Sequence, residues 1–90
     1  MKQIVSGKQF RKDLKRYRNQ TGKLKKLYSI ISLLQTGNPI PQENRPHRLN
    51  GTYAGHMECH IENNFLLIWI DKETDTIKLV RLGSHSELFG

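Results

Sequence analysis

Three of the four histidines stand where a strand pattern begins or ends: His47 follows Pro46, His60 precedes the Asn63-Asn64 turn, and His85 lies just beyond the last apolar run. Imidazole titrates near neutral pH, so it can take a proton in one step and give one back in another. Metal-free cleavage of RNA needs both operations. A base removes the 2′-hydroxyl proton, an acid protonates the 5′-oxygen leaving group, and a cation stabilises the charged phosphorane. Arg81, four residues before His85, and Arg48, next to His47, are suitable cations for substrate binding, while Phe65 and Phe89 offer ring faces for a splayed base. Taken singly, each histidine reads equally well as a surface or hydrogen-bonding residue, and Arg81 as half of a surface ion pair. Shared placement makes them candidates, because a meander gathers a strand's end, the turn after it and the neighbouring loops into one region.

The run His56-Met57-Glu58-Cys59-His60 invites a zinc reading, but two histidines at i, i+4 converge on one ion only when they lie on a helix. On a strand they stand about 13 Å apart, far beyond ligand distances near ~2 Å. We therefore expect no metal and no cofactor, with Cys59 a buried small side chain and His56 on the surface. A single cysteine excludes an intrachain disulfide and suits a reducing compartment.

Ninety residues, of which 36% are hydrophobic, suit one small domain over residues 1–90 with a shallow site. No run approaches the ~18 apolar residues of a membrane span, and the start has no secretory signal, so a soluble cytoplasmic protein is expected. The net charge of +7 is unevenly spread: residues 1–42 hold ten Lys/Arg against Asp13 alone, whereas residues 43–90 hold five basic and seven acidic residues. The first half is thus an electrostatic footprint for a polyanion, an anionic surface or an acidic protein.

The elements that must position the histidines can be read from periodicity. Met1–Val5 suggests a short strand, and Ser6-Gly7-Lys8-Gln9 a capping box opening a first helix with Phe10, Leu14 and Tyr17 on its apolar stripe. Asn19–Gly22 breaks it, and Thr21 can cap a second helix. There Leu24, Leu27, Tyr28, Ile31 and Leu34 repeat at helical spacing, with Ile30 and Leu33 widening the stripe and Gly37 closing it. Residues 39–51 read as a loop carrying His47, Arg48 and an anchor, Leu49. A three-stranded meander follows over Tyr53–Ile61, Phe65–Ile70 and Thr76–Leu82, joined by turns at 62–64 and 71–75. The uninterrupted apolar run Phe65–Ile70 marks a central strand covered on both faces, one of them by the helices.

The segments Pro46–Gly51, Glu58–Ile61, Phe65–Trp69 and Val80–Gly90 resemble the YafQ-type toxins of the RelE superfamily over nearly the whole chain. The resemblance implies an α+β fold in which two N-terminal helices pack on one face of a small antiparallel sheet. It also implies an endoribonuclease that cuts translated mRNA in the ribosomal A site, and a cognate antitoxin. His47, His60 and His85 match the family's active-site histidines and Phe89 its C-terminal aromatic. Where the family has an acid followed by Trp, this chain has Asn64-Phe65, and an amide cannot act as a base. Either His60 is then the base, or Glu62 reaches in from the same turn, or activity is lowered. The preferred assignment takes His60 as base and His85 as acid, roles the sequence allows to be exchanged, with Arg81 and His47 on the phosphate and Asn64 positioning the substrate or an imidazole. The basic helices would face ribosomal RNA. A non-catalytic RNA- or ribosome-binding protein is the competing reading, and a basic partner of an acidic protein a third.

Overall fold

A computed structural model describes every residue except Glu73, which falls within the turn expected over 71–75 and lies outside the described residues. In chain order the elements are β1 (Gln3–Ser6), α1 (Lys8–Lys15), α2 (Thr21–Thr36), β2 (His47–Arg48), β3 (Met57–Glu62), β4 (Phe65–Lys72), β5 (Thr76–Gly83) and α3 (His85–Phe89). Single 3-10 turns occupy Gln42–Asn44 and Gly51–Tyr53. The sheet order is β1-β5-β4-β3-β2, with β1 parallel to β5 and the other neighbours antiparallel. The fold is therefore the expected α+β arrangement. The meander is extended at one edge by β1 and at the other by the two-residue β2.

Strand alternation divides the apolar residues between two layers. Phe65, Leu67 and Trp69 join Cys59, Ile61, Ile77, Leu79 and Leu82 beneath Phe10, Leu27 and Ile30 of the helices. Leu66 and Ile68 face the other way and meet Leu88 of α3, with Leu49, Tyr53 and Val80 around them. Each fully buried Leu or Phe contributes about 1.5–3 kcal/mol relative to exposure, so the larger helix-side layer dominates stability.

Several local expectations change. Gly7, not Ser6, is the N-cap of α1, because Ser6 pairs within β1 and the Gln9 side chain donates to Asp13 instead. The helix ends at Lys15, leaving Tyr17 buried in the following turn. Thr21 lies inside α2, and Tyr28 is 54% exposed because the buried stripe runs through Leu27 and Ile30. Gly37 does close α2, in the left-handed conformation (φ 73°) that glycine adopts without a Cβ penalty. β3 starts at Met57 rather than Tyr53, and a short α3 follows β5.

α1 is fixed to the sheet through one carboxylate. β1 ends at Ser6 while β5 continues to Gly83, and Asp13 takes over where the strand partner stops. Its Oδ2 accepts from Leu82 N–H (3.0 Å) and Arg81 Nε (2.8 Å), and its Oδ1 from Arg81 Nη2 (3.3 Å) and Gln9 Nε2 (3.1 Å). Burial by itself raises the Asp13 pKa, but the hydrogen bonds from Arg81, Leu82 and Gln9 and the charge of Arg81 more than reverse this and lower it. Removing one partner of a buried ion pair strands the other, so Asp13→Ala should lose about 3 kcal/mol in urea unfolding at neutral pH. Because the folded-state pKa is depressed, this contribution is present above 3.8 and lost as pH falls further. Unchanged stability in the variant would contradict the assignment.

Candidate active site

Alternation on β3 sends Met57, Cys59 and Ile61 toward the helices and leaves Glu58 and His60 on the opposite face. β2 pairs His47 with Glu58, which brings a second imidazole onto that face. The His47 and His60 ring centroids are 6.3 Å apart. His47 Nδ1 lies 2.7 Å from the Arg45 carbonyl, and its Nε2 lies 3.1 Å from Glu58 Oε1. Arg45 holds a positive φ of 50°, an uncommon conformation for a side chain of its type, and so the contact is built into the loop. Both ring nitrogens therefore face oxygen atoms of the protein, which fixes the plane of the ring.

Glu58 is 4% exposed, and its Oε2 has no hydrogen-bond partner among the described residues. Leaving such an oxygen unsatisfied costs about 1–3 kcal/mol, an expense that needs a functional account. Glu58 escaped the sequence reading as a site residue, although its position two residues before His60 places it on the same strand face.

His60 leaves both ring nitrogens without an intramolecular partner among the described residues; only its backbone carbonyl is used, accepting from Asn44 Nδ2 at 2.8 Å. His60, Leu66 and Gly83 form one row across β3, β4 and β5. Two strand spacings of about 4.8 Å therefore separate His60 from the strand exit that leads to His85. Asn64 Oδ1 accepts from the His85 backbone N–H at 3.0 Å, tying the β3–β4 turn to the start of α3. Asn64 thus holds the histidine's backbone rather than its ring. One helical turn on, Phe89 packs against the His85 ring (5.0 Å between centroids) and stays 42% exposed. The His85 ring nitrogens are likewise unpartnered among the described residues.

Tyr53 completes this face and was not expected from sequence. Its ring meets Phe89 edge-on at 5.9 Å and His56 at 5.7 Å, so His56 is half-buried rather than surface decoration. Its hydroxyl accepts from Arg81 Nη1 at 3.3 Å. Arg81, opposite Ile68, is held between Asp13 and Tyr53 instead of forming a surface pair, with three of its five N–H groups engaged. Arg48 is exposed and has no ion pair among the described residues.

Two expected site residues lie elsewhere. Phe65 is 0% exposed, under the Tyr17 ring (4.7 Å) and the Lys23 ammonium (5.0 Å), so it cannot stack on a base. Glu62 is clamped by Lys23 (2.6 Å) and Lys26 (2.8 Å). Those two hydrogen bonds, Lys23 first, pull its pKa down to about 2 and make it too weak a base for the reaction.

Residues 2–90 match the family described as "Bacterial toxin of type II toxin-antitoxin system, YafQ". The mRNA interferase toxin YafQ of Escherichia coli K12 is 32% identical over 84 residues, 91% of this chain and 89% of that protein. A metal-bound toxin from Helicobacter pylori has 40% identity and a TM-score of 0.89, covering 99% of this chain and all of that one. YafQ in the E. coli DinJ-YafQ complex has 27% identity and a TM-score of 0.87, covering all of both chains. The metal in the Helicobacter protein prompts a test of fit here. Among the described residues no three His, Cys, Asp or Glu side chains converge to hold an ion, and both His47 nitrogens already face protein acceptors. Among the described residues the donor set does not fit a metal centre.

Titration of the Glu62 side-chain carboxyl by NMR should give a midpoint near 2 instead of the ordinary 4.5. With the folded value depressed, its stabilising contribution is complete above 4.5 and fades as pH falls toward 2. A midpoint at the ordinary value would show that the lysine clamp does not hold and would return Glu62 to the list of bases.

Proposed function

Because this chain belongs to the YafQ family of bacterial type II toxin–antitoxin toxins, we propose that it is an endoribonuclease that cuts translated mRNA in the ribosomal A site by metal-independent acid–base catalysis. The observation that carries this reading is the division among the histidines. Among the described residues, His60 and His85 keep both ring nitrogens free at one end of a sheet face, while His47 is held beside a buried carboxylate. Free imidazoles can exchange protons with a substrate; a held one cannot easily do so.

His60 takes the proton from the ribose 2′-hydroxyl, and the resulting oxygen attacks the adjacent phosphorus. The bond from phosphorus to the 5′-oxygen breaks as protonated His85 delivers a proton to that oxygen. The products are a 2′,3′-cyclic phosphate and a 5′-hydroxyl. His47, held between the Arg45 carbonyl and Glu58, stands beside the phosphate, and Arg81 offers its positive charge and its two remaining N–H groups. Phe89, with Tyr53 at its edge, gives a base a surface to stack on, and Arg48 supplies a further phosphate contact. Asn64 in place of an acid would favour a non-catalytic RNA-binding protein. Glu58 answers that objection by placing a carboxylate on the same face.

Lys8, Lys12, Lys15, Arg18 and Lys25 are exposed and without ion pairs among the described residues, a surface suited to ribosomal RNA phosphates. DinJ-YafQ complexes among the relatives support a cognate antitoxin as the protein partner, and the free cysteine, Cys59, suits action in a reducing compartment.

Expression should arrest growth, with in-frame cuts in translated transcripts bearing 5′-hydroxyl ends. His60→Ala and His85→Ala should each slow single-turnover cleavage by about 10²–10⁴-fold, the span expected for loss of a general acid or base. A chelator should leave the rate unchanged when ribosome integrity is controlled. Full activity in both variants, or loss with chelator restored by a divalent metal, would overturn the mechanism.

A further inference from the structure

Glu87 has no part in the proposed proton transfers, yet it is the most connected side chain of α3. Its Oε1 accepts from Ser84 N–H at 2.8 Å and from the Tyr17 hydroxyl at 2.6 Å, while its own N–H donates to Ser84 Oγ at 3.2 Å. This is a complete capping box, joined sideways to a residue 70 positions earlier in the chain. Arg16 Nη1 adds an exposed contact to Oε2 at 3.2 Å, which contributes little by itself. Gly83 makes room for the carboxylate, since a Cβ at that position would stand 2.8 Å from Glu87 Oε1.

A five-residue helix has too few internal hydrogen bonds to set its own direction. Its tilt over the sheet must come from anchors. Leu88 supplies an apolar one and Asn64 a polar one at the first residue. Glu87 supplies the link to the α1–α2 junction. His85 and Phe89 sit two residues on either side of it, so any swing of α3 moves both.

We infer that Glu87 is a positioning residue for the ribonuclease reaction, bridging the cap of α3 to the Tyr17 hydroxyl and so setting where His85 and Phe89 stand over the sheet. This rests on the proposed catalytic role of His85. The ionisation of the pair supports the bridge. Hydrogen bonds from Ser84 and Tyr17 pull the Glu87 pKa down to about 2. Burial, followed by the bond to Glu87, pushes that of Tyr17 up to about 12. A neutral phenol donating to an ionised carboxylate is the common cause.

The test is single-turnover cleavage of ribosome-bound mRNA by Glu87→Ala, Glu87→Gln, Tyr17→Phe and His85→Ala, with the fold of each followed by circular dichroism. Misplacement of a catalytic group by about 1 Å costs on the order of 100-fold, so Glu87→Ala should lose that much in maximal rate while the half-saturating concentration stays within about twofold. Glu87→Gln keeps an amide oxygen for Ser84 N–H and the Tyr17 hydroxyl, and should recover most of the rate. Tyr17→Phe should shift the maximal rate in the same direction as Glu87→Ala, and it decides the matter if Glu87→Ala does not fold. A wild-type maximal rate in folded Glu87→Ala or Tyr17→Phe, or a loss confined to half-saturation, overturns the inference. With His85→Ala inactive, that result sinks only the positioning role. If His85→Ala itself cleaves at the wild-type rate, the catalytic reading falls and takes the positioning role with it.

Discussion

A carboxylate oxygen buried without a donor is an expensive feature in a small protein, and among the described residues Glu58 carries one beside His47. The surrounding structure is arranged to keep it there. β2 exists as only two residues, and one of them pairs with Glu58. Arg45 adopts a left-handed backbone that aims its carbonyl at the other side of the His47 ring. The ring is caught between two acceptors, which fixes its plane, and His60 and His85 are left as imidazoles without hydrogen-bond partners among the described residues. One loop residue with a left-handed backbone and one buried carboxylate thus hold His47 in surroundings different from those of His60 and His85.

The two faces of the sheet divide the remaining work. The helix-side face holds the large apolar layer and the Asp13 network, whose donors come from residues as far apart in sequence as Gln9 and Leu82. The opposite face has a small apolar patch, Leu66, Ile68 and Leu88, surrounded by the polar and aromatic groups of the site. Arg81 belongs to both, since Asp13 holds it from one side and Tyr53 from the other. Stability and chemistry are therefore coupled through a single guanidinium. α3, which carries His85, lies at the margin where neither layer is thick enough to fix it without polar ties.

Much of this architecture was legible in the sequence, and the failures have physical reasons. Helical periodicity gave α2, the continuous apolar run gave β4, and the positions of His47, His60 and His85 at strand ends gave three of the candidate site residues. The capping-box pattern at Ser6 does not form a cap, because β1 already uses that backbone, whereas the same pattern at Ser84-His85-Ser86-Glu87 opens α3. Parity along the strands held the information that Phe65 shares the face of Leu67 and Trp69, and that Glu58 shares that of His60. Those two facts would have removed Phe65 as a stacking residue and brought Glu58 in as a candidate site residue. The ties between Asp13 and Leu82, Tyr17 and Glu87, and Arg81 and Tyr53 leave no periodic trace, because they depend on tertiary approach.

The account stands on His60 as base and His85 as acid at one end of a shared face. The most direct measurement is the pH dependence of single-turnover mRNA cleavage for the wild type, His60→Ala and His85→Ala, over the range in which imidazoles titrate. The account predicts a bell for the wild type. His60→Ala should lose the limb that rises with pH, because no base remains to be deprotonated, and His85→Ala the limb that falls. Two variants that retain an unaltered bell would contradict it.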